Sequence, residues 1–561
     1  MSVKEKGDST EVEFAGPEPP VPASPSPGTP ASHDLDLAEE LALEATRHVE
    51  QVGWEFLLEP YTLGSLAAMS FGLFNASWGF APPAAVMLWI TADIGSGSQT
   101  NSSLFSVMQT LGTTLGYMFV GRLSEIYGRR WVMITFTLFG LVGSIIAGTA
   151  QNLNTFIGAN PEVGSSFSHA HVQHADQELE LMPNKHKMLA ISLALYYFFY
   201  FPREAAQAYN KLEQTKRLDF VGILFLVAGL VLFIVGIMTG GSPYPWQSAK
   251  VIGMVVSGGI SLVALCVWEH FQGENAFFAV HLFKDVWGFG MNCICSAVGG
   301  ISYTALSIIW PTQVAYMYSA GSSWQTVAAM SCTIGFGLWG GMVFLGPLWG
   351  PIGHPKMVLI ISKMWMVSFT AALAHCSPDD RNFAIACSFL AALPIGFVEQ
   401  QTGAIAQLVV SDKHIGTSFG TMGCVRVGVG VIGTAIVMAI LAAKIPIELQ
   451  AHVAPAALKA GLPETSLAAL FAALAKATED ALAAVPGING EIMAAVGMAQ
   501  REGYAAAYRY IYYTTIPFGV VATAAACALR PIKHLLTSHV PKIVERTQVQ
   551  VGKDDLEKSV V

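Results

Sequence analysis

Charge is scarce in this chain: only 12% of its 561 residues are Asp, Glu, Lys or Arg, against 53% hydrophobic residues, and the mean hydropathy is +0.49. That shortage excludes an ordinary water-solvated globule and describes a chain whose solvent is mostly lipid. No dense basic patch appears and the formal net charge is -9, so nucleic acid is not an expected partner. The phosphate-cradling G-x-x-x-x-G-K-[ST] loop is missing and no catalytic constellation is visible. The chain therefore does not read as an enzyme, and ATP hydrolysis is not expected to drive it. Its eight cysteines form no C-x-x-C pair and fall mostly inside apolar runs, where they act as small buried hydrophobes. No cofactor and no metal site is expected. The N-terminal stretch also lacks the short apolar core of a cleaved signal peptide.

What the chain has is apolar length. Runs at 63–90, 103–120 and 131–149 can each cross a bilayer, and eight more follow at about 219–240, 250–269, 287–310, 325–347, 357–375, 383–410, 416–442 and 508–528. A shorter run at 188–201 makes roughly 21 Å of helix against a hydrocarbon core of about 30 Å, so it spans only with bilayer thinning or snorkelling flanks. The expected count is about twelve spans, one of them short. Between the third run and the short one, the segment 161–183 carries His169, His171, His174, Asp176, Glu178 and Glu180 and cannot cross lipid. The H-x-H-x-x-H spacing fits no standard metal site, and a solvated polar loop is the favoured reading.

The chain divides into a disordered cytosolic tail (1–53), an incomplete N-terminal transmembrane bundle (54–201, with the polar insert 161–183), a cytoplasmic linker (202–218), C-terminal transmembrane helices (219–530, with an outer loop 443–507) and a second cytosolic tail (531–561). Both termini are expected in the cytosol, because Lys413, His414, Arg530, Lys533, Lys542 and Arg546 then lie on the inner side. The outer loop is rich in Ala and Leu but interrupted by Pro455, Gly461, Pro463, Pro486 and Gly487, which predicts short amphipathic helices at the membrane surface. In the first run, Trp78 and Trp89 are candidate interface anchors, Pro82-Pro83 can break the helix beside a cavity or serve equally as a tolerated packing kink, and Trp78 is a candidate cavity residue.

Gly121-Arg122-Leu123-Ser124-Glu125-Ile126-Tyr127-Gly128-Arg129-Arg130-Trp131 is a charged turn between two apolar runs. Arg122, Arg129 and Arg130 mark its side as cytoplasmic, the glycines Gly121 and Gly128 allow a tight turn and close approach, and Glu125 can pair with an arginine or face a helix N-terminus. The pattern resembles the G-x-L-x-D-x-x-G-R-R/K loop of major facilitator transporters, with Glu125 where the acid is usually Asp. By that resemblance the loop latches the inward side during alternating access. Tyr244-Pro245-Trp246-Gln247, Trp310-Pro311-x-Gln313 and the stretch from Val453 to Glu464 are similar to a narrower group, the fungal fourteen-span drug:proton antiporters of the trichothecene efflux pump branch.

The resemblance covers about residues 54–160 and 182–545, and Glu180 to Lys187 looks like that family's cytoplasmic link between spans four and five. It implies an all-α major facilitator-type bundle that exports toxins, drugs or other amphipathic small molecules from the plasma membrane, in exchange for protons. The partners it implies are the lipid bilayer, an amphipathic substrate and protons. Against the family register, the fourth span is replaced by the His-rich stretch, the fifth is absent, and only the end of the sixth survives. The glycine- and proline-rich antiporter motif of the fifth span is therefore missing. Uptake of siderophore–iron chelates and a truncated, transport-inactive chain are the alternative expectations.

Two ionisable residues, Glu399 and Arg426, lie deep inside apolar runs. The turn between them centres near Asp412-Lys413, about 13 residues from each, so both sit roughly 20 Å along their helices and should meet at one depth. An unpaired charge there would cost several kcal/mol, which predicts an ion pair or a protonated Glu beside water. The pair serves either proton coupling through Glu399 or the fixing of the hairpin. Gln400, Gln401 and Gln407 extend a polar face on the same helix, suited either to an oxygen-rich substrate or to neighbouring helices.

Overall fold

In lipid, a backbone must satisfy its own hydrogen bonds, so apolar runs of membrane length become helices. The computed structural model describes residues 60, 63–65, 67–68, 102–127, 129–149, 185–199, 219–240, 244–272, 278, 280–410, 415–476 and 485–532. Among these the regular elements are all helical, with a single isolated bridge between Gly240 and Tyr244. Seven described helices are long and apolar enough to cross a membrane, and an eighth is added if one bent pair counts as a single span. Those eight all lie between residues 220 and 528. The expected first run, the polar insert 161–183 and its His cluster lie outside the described residues, apart from 63–65 and 67–68.

In the N-terminal part, α1 (Ser102–Tyr127) and α2 (Arg129–Gly148) meet at the charged turn. The short helix α3 (Lys185–Phe199) packs on α2 with Tyr196 buried. Arg130 Nη2 donates to Tyr197 O at 2.7 Å, and its guanidinium lies over the Trp131 and Tyr197 rings at 5.5 and 5.6 Å. Ser65 donates to Phe199 O at 2.9 Å and Ser192 to Ala68 O at 3.4 Å, which ties the described start of the first run to the same helix. Of the stretch Glu180 to Lys187, residues 180–184 lie outside the described residues, and Lys185 begins α3. It is the C-terminal end of α3 that sits beside Arg130, because the free carbonyls ending a helix attract a cation.

Next comes a hairpin of α4 (Phe220–Thr239) and α5 (Ala249–Gln272). Asp219 caps α4 by accepting from Gly222 N at 2.8 Å, and Trp268 Nε1 on α5 donates to the same carboxylate at 2.9 Å. Ile252, Val256, Ile260, Val263, Val267 and Phe271 form an exposed apolar stripe at helical spacing, which suits a helix whose outer face is solvated by lipid.

The remaining helices form the main bundle: α6 (Met291–Gln313), α7 (Trp324–Ser331), α8 (Thr333–Gly340), α9 (Pro355–Ala372), α10 (Arg381–Leu408), α11 (Ile415–Lys459), α12 (Leu467–Lys476) and α13 (Gly490–Ala528). The span expected at 325–347 is broken, with Gln325–Ser331 and Thr333–Leu348 meeting at 41°. The core of the bundle gathers Trp310, Leu338, Met366, Ala391, Val437, Tyr508 and Tyr512, and Trp310 Nε1 is satisfied by Met330 O at 2.7 Å.

The outer segment holds one short helix, α12, together with the continuations of two long ones. α11 runs for 45 residues and α13 for 39, or about 68 and 58 Å against a core of about 30 Å, so both continue well past the bilayer. Pro446 and Pro455 sit within α11 without ending it. A proline removes one backbone donor, and here the lost bond is offset by a separate apolar core of Val453, Ala457, Leu462, Leu470, Ile492 and Val496.

α1 and α11 touch through bare backbone. A Cβ at Gly121 would stand 2.7 Å from Gly416 O, and one at Gly420 would stand 2.6 Å from Tyr117 O. Gly420→Leu should therefore lower stability by about 1–3 kcal/mol through overpacking. Gly497→Ala, at a position with open space around it, should leave the thermal unfolding midpoint of the detergent-purified chain unchanged or slightly raised.

Candidate functional site

The site is built where α10 and α11 run side by side. Arg426 Nη2 donates to Glu399 Oε2 at 2.7 Å, and Nη1 closes on Glu399 Oε1, making a two-pronged pair. Arg426 is buried, with 8% of its side chain exposed, while Glu399 keeps 26%. The carboxylate is thus the partner that solvent or substrate can reach.

Small residues let the surrounding helices approach this pair. A Cβ at Gly300 on α6 would collide with Arg426 O and lie 2.9 Å from its Cγ, and Gly430 on α11 faces Gly300 at 3.1 Å. Thr304 Oγ1 then bonds Thr434 Oγ1 at 2.7 Å and Gly430 O at 3.1 Å, which stitches α6 to α11. Tyr117 from α1 and Tyr303 from α6 lie within electrostatic reach of both Glu399 and Arg426. The pair consequently sits where α1 of the N-terminal part meets the main bundle.

The other residues singled out from sequence fall in different places. Gly121 is buried against α11, Arg122 is half-buried, and Arg130 holds α3. Gly128 and the side chains of Glu125 and Arg129 lie outside the described residues, as does Trp78. Gln400 and Gln401 do not share a face, because successive residues on an α-helix point about 100° apart. Gln400 and Gln407 are exposed, whereas Gln401 is buried, with Nε2 3.4 Å from Ser362 Oγ on α9. Gln401 is therefore set against α9.

Sequence reasoning passed over Lys363, a fully buried lysine in the middle of α9. Its Nζ donates to Cys295 O on α6 at 2.7 Å. The signal was available, since a lone lysine inside an apolar run is as costly in lipid as Glu399 or Arg426. Asn292 is a second omission: buried on α6, it donates from Nδ2 to Thr402 O at 2.9 Å. Among the described residues, no group of three or more His, Cys, Asp or Glu could hold a metal ion.

A bundle of membrane-length helices with a charge pair and bare-backbone crossings at its centre is the architecture of a multi-pass membrane transporter. The family model for the fungal trichothecene efflux pump (TRI12) matches residues 38–195 and 187–560, and the chain belongs to that family. The trichothecene efflux pump TRI12 of Trichoderma arundinaceum is 30% identical over 579 residues, covering 94% of each chain. The MFS-type transporter prx5 of Penicillium rubens is 26% identical over 62% of this chain and 64% of its own. A bacterial homolog to the human lysosomal transporter Spinster, solved in an inward-facing and occupied conformation, covers 84% of this chain and 97% of its own, with 14% identity and a TM-score of 0.44. The chain is thus a major facilitator-type efflux transporter, working in the bilayer on a small-molecule substrate. The Trichoderma alignment is longer than the 561 residues of this chain, so that relative carries residues with no counterpart in it.

Arg426→Met should strand Glu399 and cost about 3–5 kcal/mol of stability, whereas Arg426→Met combined with Glu399→Gln should recover most of it. Thermal unfolding of the purified variants reads the cycle, and equal losses in the single and double variants would contradict the pairing.

Proposed function

We propose that this chain exports trichothecene-like amphipathic molecules in exchange for protons, with Glu399 as the proton-carrying group and Arg426 as the partner that sets its charge. The observation that supports this most is the two-pronged pair at the junction of α1, α6, α10 and α11, with the carboxylate as its more exposed member. Protonation of Glu399 breaks one member of an ion pair in lipid, so it changes the free energy of the packing between α10 and α11. A substrate that displaces the proton biases the same contact in the opposite sense. Gly121, Arg122, Glu125, Gly128, Arg129 and Arg130 form the inward latch in this reading, acting where α1 meets α11. Gln400 offers hydrogen bonds to an oxygen-rich substrate.

Both termini are cytosolic and the host membrane is the plasma membrane in this proposal. The tails at 1–53 and 531–561 and the linker at 202–218 then face inward, and the long ends of α11 and α13 project outside. Helix direction supports it: α4, α6, α9 and α11 run outward and α5, α10 and α13 run inward once Arg130 marks the inner side. Nucleic acid has no part in this reading. Siderophore–iron uptake is not favoured by the relatives, whose printed names are efflux pumps and MFS-type transporters. A transport-inactive chain is likewise not favoured by the relatives, one of which matches over 94% of this chain.

Yeast cells expressing the full chain and preloaded with a radiolabelled trichothecene test this proposal. Efflux should exceed the empty-vector rate, fall as external pH rises from about 5 to about 8 because the inward proton gradient shrinks, and vanish in Glu399→Gln. Surface-localised protein with efflux at the empty-vector rate would contradict the proposal.

A further inference from the structure

Lys363 is fully buried on α9, and Nζ has one acceptor, Cys295 O at 2.7 Å. Among the described residues no carboxylate pairs with it, and the ion pair nearest in the bundle already uses both oxygens of Glu399 on Arg426. Arg426 lies within electrostatic reach of Nζ, so the neighbouring charge is of the same sign. An ammonium has three donors. Two of them have no acceptor among the described residues, in a site shut off from water.

The groups around Lys363 can be named helix by helix. On α6 stand Cys295 and the bare face of Gly299, whose Cβ position is 3.6 Å from Nζ and 3.7 Å from Val398. α10 contributes Val398 and, two residues apart, Glu399 facing α11 and Gln401 facing Ser362 of α9. α11 contributes Arg426, and Cys527 on α13 interacts with Cys295. Gly299 faces the lysine and the adjacent Gly300 faces the backbone and Cγ of Arg426, so the two cations border successive residues of α6. Gln401 Oε1 is a buried acceptor with no partner among the described residues, a second unfilled polar position in the same α9–α10 interface.

A permanently charged side chain would be a poor choice for this position, and a purely structural pin needs no ionisable group at all. Lysine is the basic residue that can hold or release its proton when buried, which arginine cannot. We propose that Lys363 is a second proton-exchanging group of the transport cycle, coupled across Gly299 and Gly300 to the Glu399–Arg426 pair. This rests on the transport reading above. When the bundle opens outward, the Nζ lone pair takes up one proton and becomes –NH3+. When it opens inward, that N–H bond breaks, the electron pair stays on nitrogen and the proton leaves to the cytosolic side. No oxidant or reductant is involved. The like charge of Arg426 then makes the two states of Lys363 differ in how firmly α6 and α9 pack around the pair.

The substrate-free test is the 15Nζ spectrum of the full chain in liposomes, with the Lys363 signal assigned by its absence in Lys363→Arg. A signal that passes from ammonium to amine between about pH 5 and pH 9 is the expected result. One that remains ammonium across that range overturns the proposal, whether or not the chain transports anything. In the preloaded-cell assay, Lys363→Arg keeps the charge but not the exchangeable proton. Efflux should then drop at least tenfold and lose its pH dependence, and a variant with the wild-type rate and pH profile would equally overturn it.

Discussion

A charge inside a membrane must be answered within the protein, and in this chain the answer is the contact between Arg426 and Glu399. The surrounding architecture follows from it. α10 and α11 must run antiparallel in one register for the two side chains to meet. Arg426 fills the space that Gly300 leaves open, so α6 can lie flat against α11 and add the Thr304–Thr434 bond. Tyr117 then brings α1 to the same place, its ring set against the bare face of Gly423. The pair is therefore both a packing constraint and a point where Tyr117 of the N-terminal part shares an electrostatic environment with the main bundle.

Much of this was legible in sequence because lipid makes the rules strict. Apolar runs had to be helices, and a rise of about 1.5 Å per residue placed Glu399 and Arg426 at one depth without any knowledge of packing. Other features needed three dimensions. The faces of Gln400 and Gln401 depend on how α10 is turned, which spacing alone does not define. The length of α11 was hidden by Pro455, which reads as an interruption until the apolar core around Val453 and Ala457, shared with Ile492 and Val496 of α13, is known. The direction of α3 depends on Arg130 reaching Tyr197 O, a contact 67 residues away in the chain. Lys363 is the instructive omission: its cost was visible in the run around it, but its neighbours on α6 and α11 were not.

The described residues are divided unevenly between the two parts of the chain. From α6 onward the helices make a closed bundle with its own core, and both α4 and α5 are present as a lipid-facing hairpin. The described N-terminal part holds α1, α2 and the 15-residue α3. Alternating access needs a partner surface for the bundle to rock against. In the proposed cycle the glycine contact of α1 with α11, beside the charged turn, supplies that hinge.

Proton release is the most direct measure of the proposed coupling. The purified full chain in weakly buffered detergent should acidify its medium when a trichothecene is added, as the substrate displaces the proton from Glu399, and Glu399→Gln should bind the same molecule without acidification. Saturable binding by the wild-type chain with no proton released would contradict the central claim.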